Sequence, residues 1–367
     1  MKEGVIVFCK QRILLSLIAV CFFSYSLSEQ FVYPVTDIDD DYFFVLYQKS
    51  VDDIELWLCN KKTSTAISQA LNFMSLPSQI KILPDKSGFS FVDKGRIRIK
   101  KFSKRTSKVI DIAEPIDSIM SMSWIDDEKF YFSGKYGRTF GIFVCNAVQG
   151  AEISTLMHDD KHDYVYPNKI CDLLFCIQKD RLQEHVIVKV DFLSENKEVI
   201  FKSEYPICFL NMQNASEGFF LEYRQNDSDV LDFSCNKITL LDNGWRVEHL
   251  FDFSLPIEYL IGSSDKRVYE SMVPFLPNYS EGESIYFVDT NEWKNFEIKS
   301  YNKEQGIVNL KRCGKRDFTY GGVFAPCVID NALCCGFIVN EEIFRNAYGL
   351  GLCESRTLID YVLRGWR

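Results

Sequence analysis

Two imidazoles and three carboxylates fall within six residues at His158-Asp159-Asp160-Lys161-His162-Asp163, the densest run of ligating side chains in the chain. Curled so that they converge, such groups can hold a divalent metal, but Lys161 in their midst opposes one. The competing reading is a solvated loop whose histidines, His158 and His162, meet a partner. A second set is spread along the chain: Arg138, Arg181 and Arg224, preceded by Lys49 and Lys94, each stand in the loop after a short apolar strand. Guanidinium groups repeated in that way suit carboxylates, which they grip with two parallel hydrogen bonds. Their alternative is local pairing with acids such as Asp180, Asp227 or Asp229. The run Asp37-Ile38-Asp39-Asp40-Asp41 offers alternate carboxylates, yet Tyr42 stands where a calcium loop needs glycine. No metal and no cofactor is expected. There is no G-x-S-x-G elbow, phosphate-binding glycine loop or dinucleotide fingerprint, and only four histidines are present. No catalytic residue is therefore assigned.

The elements that carry these groups form a repeat. Its cleanest copy is residues 115–157, in which a strand ends at Trp124, Ile125–Glu128 turn, and Lys129–Ser133 make a second strand. A glycine-bearing loop, a third strand Phe140–Cys145, a turn and a fourth strand Ala151–Met157 follow. Such a unit cannot bury its apolar face alone, so copies must stack. Seven of the ten prolines, at 34, 77, 115, 167, 206, 256 and 326, precede successive copies. Proline is tolerated at the start of a strand because no ladder N–H is needed there. Second strands are predicted at 42–47, 89–92, 129–133, 173–177, 219–223, 268–273 and 333–339. Third strands are predicted at LWLCN, IRIKK, IFVCN, IVKVD, LDFSC and IYFVD. The seventh copy is the weakest, since TLIDYVL near its end reads equally as a short helix. The long interval before Pro326 implies an insert at about 290–324 that carries the basic run Lys311–Arg316, expected in an exposed hairpin or loop.

Composition bounds the rest. Lys10-Gln11-Arg12, the apolar run 13–23 and Ser26-Leu27-Ser28 have the order of a secretory signal peptide over residues 1–28. The remaining 29–367 is expected to be a single exported domain with no transmembrane segment, periplasmic if bacterial and otherwise secreted. Removing residues 1–28 takes three of 42 Lys+Arg and one of 51 Asp+Glu, leaving 39 against 50 and a net charge of −11. That balance argues against nucleic acid as a partner. Eleven cysteines remain, an odd number without C-x-x-C pairing. They are expected mostly as buried thiols, with Cys313, Cys327 and Cys353 as the candidates for a disulfide.

The segments YPVTDIDDDYFFVLY, LPDKSGFSFV, SWIDDEKFYFSGKYGRTFGIFVCN and YPNKICDLLFCI resemble the repeat of TolB-like β-propellers. The resemblance covers most of residues 30–340, without an N-terminal α/β domain of the TolB kind. It implies an all-β propeller of four-stranded antiparallel blades, for which seven blades are favoured and six are the alternative. In a propeller, the loops holding Arg138, Arg181 and Arg224 share one face with the connections between blades. The expected function is a non-catalytic, monomeric scaffold binding an acidic protein or peptide partner there. The alternative is a propeller lyase or hydrolase acting on a sugar or peptide at the mouth of the central channel.

Overall fold

The structure, a computed structural model, describes residues 29–38, 41–50, 52–74, 77–102, 109–112, 116–136, 139–159, 161–180, 184–191, 193, 196–225, 230–256, 278–279, 284–289, 296–313, 320–329, 332–340, 356 and 359. Alternation dictates the local structure. In Arg96–Lys101 the branched Ile97 and Ile99 are buried, while Arg98 and Lys100 between them are half-exposed, the period of a strand. Second strands differ: Gly88–Asp93, Lys129–Tyr136 and Leu173–Asp180 each bury four or five residues in succession. Such a strand is covered on both faces. Outer strands such as Ile153–His158 and Asn196–Ser203 are mostly exposed.

Among the described residues, twenty-six strands form six antiparallel sheets. Sheet A holds β1 (Glu29–Asp37), β2 (Tyr42–Ser50), β3 (Asp53–Asn60) and β4 (Thr65–Phe73). Sheet B holds β5 (Ser78–Ile82), β6 (Gly88–Asp93), β7 (Arg96–Lys101) and β8 (Val109–Asp111). Sheet C holds β9 (Ser118–Trp124), β10 (Lys129–Tyr136), β11 (Thr139–Asn146) and β12 (Ile153–His158). Sheet D holds β13 (His162–Ile170), β14 (Leu173–Asp180), β15 (His185–Asp191) and β16 (Asn196–Ser203). Sheet E holds β17 (Ile207–Asn214), β18 (Glu217–Gln225), β19 (Val230–Leu241) and β20 (Gly244–Pro256). Sheet F holds β21 (Asn278–Tyr279), β22 (Ile285–Asp289), β23 (Phe296–Asn302) and β24 (Gly306–Cys313). The last hairpin, β25 (Tyr320–Ile329) and β26 (Ala332–Asn340), joins sheet A by pairing β26 with β1.

First strands touch in sequence, β1 with β5, β5 with β9, β9 with β13 and β13 with β17. Sheet E then meets sheet F through β20 and β22, and β22 meets β25, which returns the cycle to sheet A. The arrangement is a propeller-like circuit of sheets. Aromatic side chains fill its seams: Phe44 meets Phe89 edge-on at 4.9 Å between A and B, and Phe251 stacks on Phe287 at 4.3 Å between E and F.

Hydrogen bonds tie the first strands together. Gln79 on β5 donates to Met120 O at 3.2 Å and accepts from Met122 N–H at 3.1 Å, so its amide pairs with β9 as another peptide would. Asn168 on β13 repeats the device on Leu210 O and Met212 N–H, both at 3.2 Å. Between C and D, Tyr131 Oη accepts from Lys169 N–H at 2.8 Å. Bulges in β5 and β13 aim the two amides, and Gln79 and Tyr166 there have φ of 55° and 51°.

The prolines mark first strands largely as expected. Pro34, Pro167 and Pro326 sit at bulges in β1, β13 and β25, while Pro77 and Pro206 directly precede β5 and β17. Pro256 instead ends β20, and Pro115 lies outside the described residues.

Six sheets stand where seven blades were favoured. Among the described residues the seventh unit contributes the hairpin β25–β26, and β26 finds its hydrogen-bonding partner in β1 of the first unit. The sixth unit also shifts phase: Ile285–Asp289, predicted as a third strand, is the second strand of sheet F, and the expected strand 268–273 lies outside the described residues. Residues 296–313, expected within an insert, supply β23 and β24. Lys311 and Arg312 belong to β24, the edge strand of the hairpin β23–β24, which is the hairpin form of the expectation; residues 314–316 of the basic run lie outside the described residues. Arg356 and Ile359 are helical and Ile359 is buried, which favours the helical reading of TLIDYVL.

Among the described cysteines, Cys59, Cys145, Cys176, Cys208 and Cys235 are buried and free, and Cys171 is exposed. Burial pushes the thiol of Cys145 up to about 11 and that of Cys176 up to about 12, so both are inert. Cys353 lies outside the described residues.

Candidate functional site

The register decides what gathers at each end of a sheet. At one end the turn between second and third strands lies beside the connection to the next sheet. His158 is the cross-strand partner of Gly141, His162 of Asp180, His185 of both Lys179 and Ser203, and Arg224 of Asp232. Of the residues assigned to recognition from the sequence, His158, His162 and Arg224 lie at this end. Arg138 and Arg181, in the turns after β10 and β14, lie outside the described residues.

The acidic and imidazole run does not converge on a metal. Asp159 is its centre: the carboxylate accepts from the N–H groups of Lys161 at 2.8 Å and His162 at 2.9 Å, and from His162 Nδ1–H at 2.7 Å. The Tyr164 hydroxyl also donates to it, and Lys197 Nζ donates to that hydroxyl at 2.9 Å while lying over the ring. Partial burial alone would raise the Asp159 carboxyl. The bonds from Tyr164 and His162 outweigh it and hold the group well below the usual carboxylate range. Burial, and then the bond to Asp159, push the Tyr164 phenol upward, so it stays a donor. His158 is turned elsewhere, its Nδ1 lying 3.2 Å from Phe140 O on β11. Among the described residues no group of three or more His, Cys, Asp or Glu could hold a metal ion. Asp41, from the aspartate run at 37–41, pairs with Lys62 at 2.5 Å.

One sheet further on, Arg224 ends β18 with its side chain exposed and its guanidinium carbon 3.7 Å from the centroid of the Tyr205 ring. Stacking fixes the plane of the guanidinium and leaves its N–H edges outward. Among the described residues Arg224 makes no ion pair. The expected pairing with Asp227 or Asp229 falls outside the described residues. The lysines of the first two units diverge: Lys49 is neutralised by Glu55 at 2.6 Å and Asp53 at 3.8 Å, whereas Lys94 is exposed in the turn before Gly95. That turn is tightly docked. Gly95 has φ of 72°, and a Cβ there would meet Ile116 O at 2.3 Å.

Two groups at this end escaped the sequence reading. His185 is 1% exposed, and its Nδ1 accepts the Ile207 N–H of the next sheet at 3.0 Å. Burial, with Lys179 nearby, lowers it to about 4. The available signal was a lone imidazole heading the apolar run Val186-Ile187-Val188. Glu222 is half-buried and receives the Ser203 hydroxyl and the Asn236 amide, the latter at 2.9 Å. Ser203 Oγ in turn accepts Tyr205 N–H at 2.9 Å, so this network holds the ring on which Arg224 rests.

No protein-family model matches the chain, and no curated protein matches it. Solved structures with a similar fold include the β-propeller domain of Cps50 (Swd1) from Myceliophteria thermophila, with TM-score 0.50 and 10% identity over 84% of this chain and 95% of that one. Prolyl oligopeptidase B from Galerina marginata aligns with TM-score 0.52 and 12% identity over 78% of this chain and 43% of that one. A TolB protein from Agrobacterium tumefaciens aligns with TM-score 0.47 and 12% identity over 69% of this chain and 87% of that one. No helix among the described residues is long and apolar enough to cross a membrane.

Proposed function

We propose that the chain is an exported, non-catalytic propeller scaffold that binds an acidic protein or peptide on the end carrying Arg224, His158 and His162, with Arg138 and Arg181 in neighbouring turns. One observation carries this reading: an exposed guanidinium, stacked on Tyr205, has no ion pair among the described residues. On a chain of formal net charge −9, such a group is a local exception that draws carboxylates to one place. The propeller of Cps50 (Swd1) supports the architecture and says nothing of the ligand.

The test is a fluorescein-labelled glutamate-rich peptide titrated against the whole chain, with lysine-rich and neutral peptides of equal length as controls. Arg224→Ala should weaken binding of the acidic peptide by about 1–3 kcal/mol, roughly fivefold to 150-fold. Equal affinity for the three wild-type titrations would count against the reading. A second reading, a propeller enzyme at the channel mouth, draws on the Asp159–His162 pair, in which a carboxylate fixes one imidazole nitrogen as an orienting acid does. Hydrolysis of a sugar or peptide substrate, lost in His162→Ala, would favour it.

A further inference from the structure

We propose that His185 is an acid-sensitive latch that holds the Tyr205–Arg224 plate in place and lets go when it is protonated. The inference rests on the binding reading above and adds its regulation.

The geometry is that of a two-position contact. His185 Nδ1 accepts from Ile207 N–H at 3.0 Å, which requires that nitrogen to be unprotonated, and it lies 3.2 Å from Ile207 O. A proton on Nδ1 makes it a donor. It then faces another donor, and the acceptor at hand is the carbonyl of the same residue. Ile207 O already lies within reach at 3.2 Å, so the protonated ring turns to the carbonyl and the buried N–H that leads into β17 loses its acceptor. The turn released is Ser203–Ile207, which carries Tyr205. It is also tied by the Ser203 hydroxyl to Glu222, Tyr205 N–H to Ser203 Oγ at 2.9 Å, Tyr223 N–H to Pro206 O at 3.0 Å and the stack of Arg224 on Tyr205.

The surroundings favour opening over a quietly buried cation. From β14, Lys179 is the cross-strand partner of His185 and Asp180 follows it. From β16 come Ser203 and Lys202, the latter paired with Glu184 at 3.0 Å. From the next sheet come Cys208 and Glu222, whose carboxylate is already engaged by Ser203 and Asn236. Burial and then Lys179 oppose a second positive charge, and the bond to Ile207 O and the carboxylate of Asp180 only partly offset them, so the ring is lowered to about 4. A histidine lowered from about 6.5 in the unlatched state makes opening about twentyfold easier at pH 5, and on the order of a hundredfold at pH 4, than at neutral pH.

Hydrogen exchange at the Ile207 amide, corrected for intrinsic rate, tests this on the whole chain between pH 7 and pH 4. Wild type should lose protection by those factors. His185→Asn should keep it, since its amide can accept from N–H and donate to C=O but does not titrate. The midpoint of imidazole carbon shifts for His185 should coincide with the loss. Equal loss in both proteins, or a ring that titrates without any change at Ile207, would overturn the latch. Neither measurement uses a partner, so a failed latch leaves binding to be decided separately by the peptide titration at neutral pH.

Discussion

Asp159 and Arg224 are charged groups at the same end of neighbouring sheets, yet they are spent differently. Asp159 accepts from two backbone N–H groups, an imidazole and a phenol. Its hydrogen-bonding capacity is turned inward. Arg224 is held by one aromatic face and keeps its donors at the surface. A saturated charge stabilises the fold and has little left for a ligand, whereas a stacked charge is preorganised at small cost to the fold and can still bind. The most crowded cluster in the sequence is thus the poorer candidate for recognition, and a sparse arginine is the better one.

Acid should separate the two regions most strongly. A histidine whose folded value is lowered contributes stability above about pH 6.5 that is lost as pH falls through about 4. For His185 that is of order 3 kcal/mol, felt at the junction of sheets D and E. Asp159 runs in the other window: its carboxyl is depressed, so its contribution is present above its unfolded value near 4 and is lost only below that. Thermal melts across pH 7 to 3 should therefore show a first decline that His185→Asn removes, and a later one that Asp159→Asn removes. A single decline insensitive to both would erase the distinction.

Next in size is Asp159→Ala, which strips the acceptor from the Tyr164 hydroxyl, on a residue 3% exposed. Denaturant unfolding should report a loss of about 1–3 kcal/mol. Smaller again are the straps: Gln79→Ala and Asn168→Ala should each cost about 1–2 kcal/mol by leaving peptide groups of β9 and β17 unpaired. Arg224→Ala closes the series, with a change in unfolding free energy within about 0.5 kcal/mol.

Much of the strand pattern was legible because short aromatic and branched runs such as Tyr42–Tyr47 and Leu173–Ile177 bury both faces and have few other uses. First strands were visible mainly through prolines at bulges. The sixth unit was mis-phased for a physical reason: an apolar run closed by aspartate, as in Ile285–Asp289, marks a strand followed by a turn and not its place in the sheet. The count of six followed from the same limit, since nothing local in Ala332–Asn340 reveals that it pairs with Glu29–Val32. At the candidate site the residue types were legible and the partners were not. The run 158–163 gave the groups, but that His162 and Tyr164 would converge on Asp159 depends on the bend into β13. Gln79, Asn168 and His185 each act on a strand 22 to 44 residues away, beyond the reach of any local pattern.

The central claim, that recognition runs through Arg224, is tested most directly by titrating the labelled glutamate-rich peptide at neutral pH and low salt against wild type, Arg224→Ala and Asn168→Ala, with melting curves of the same samples. Arg224→Ala should melt like wild type and bind roughly fivefold to 150-fold more weakly, and Asn168→Ala should melt earlier yet bind like wild type while folded. Binding by Arg224→Ala equal to that of wild type would contradict it.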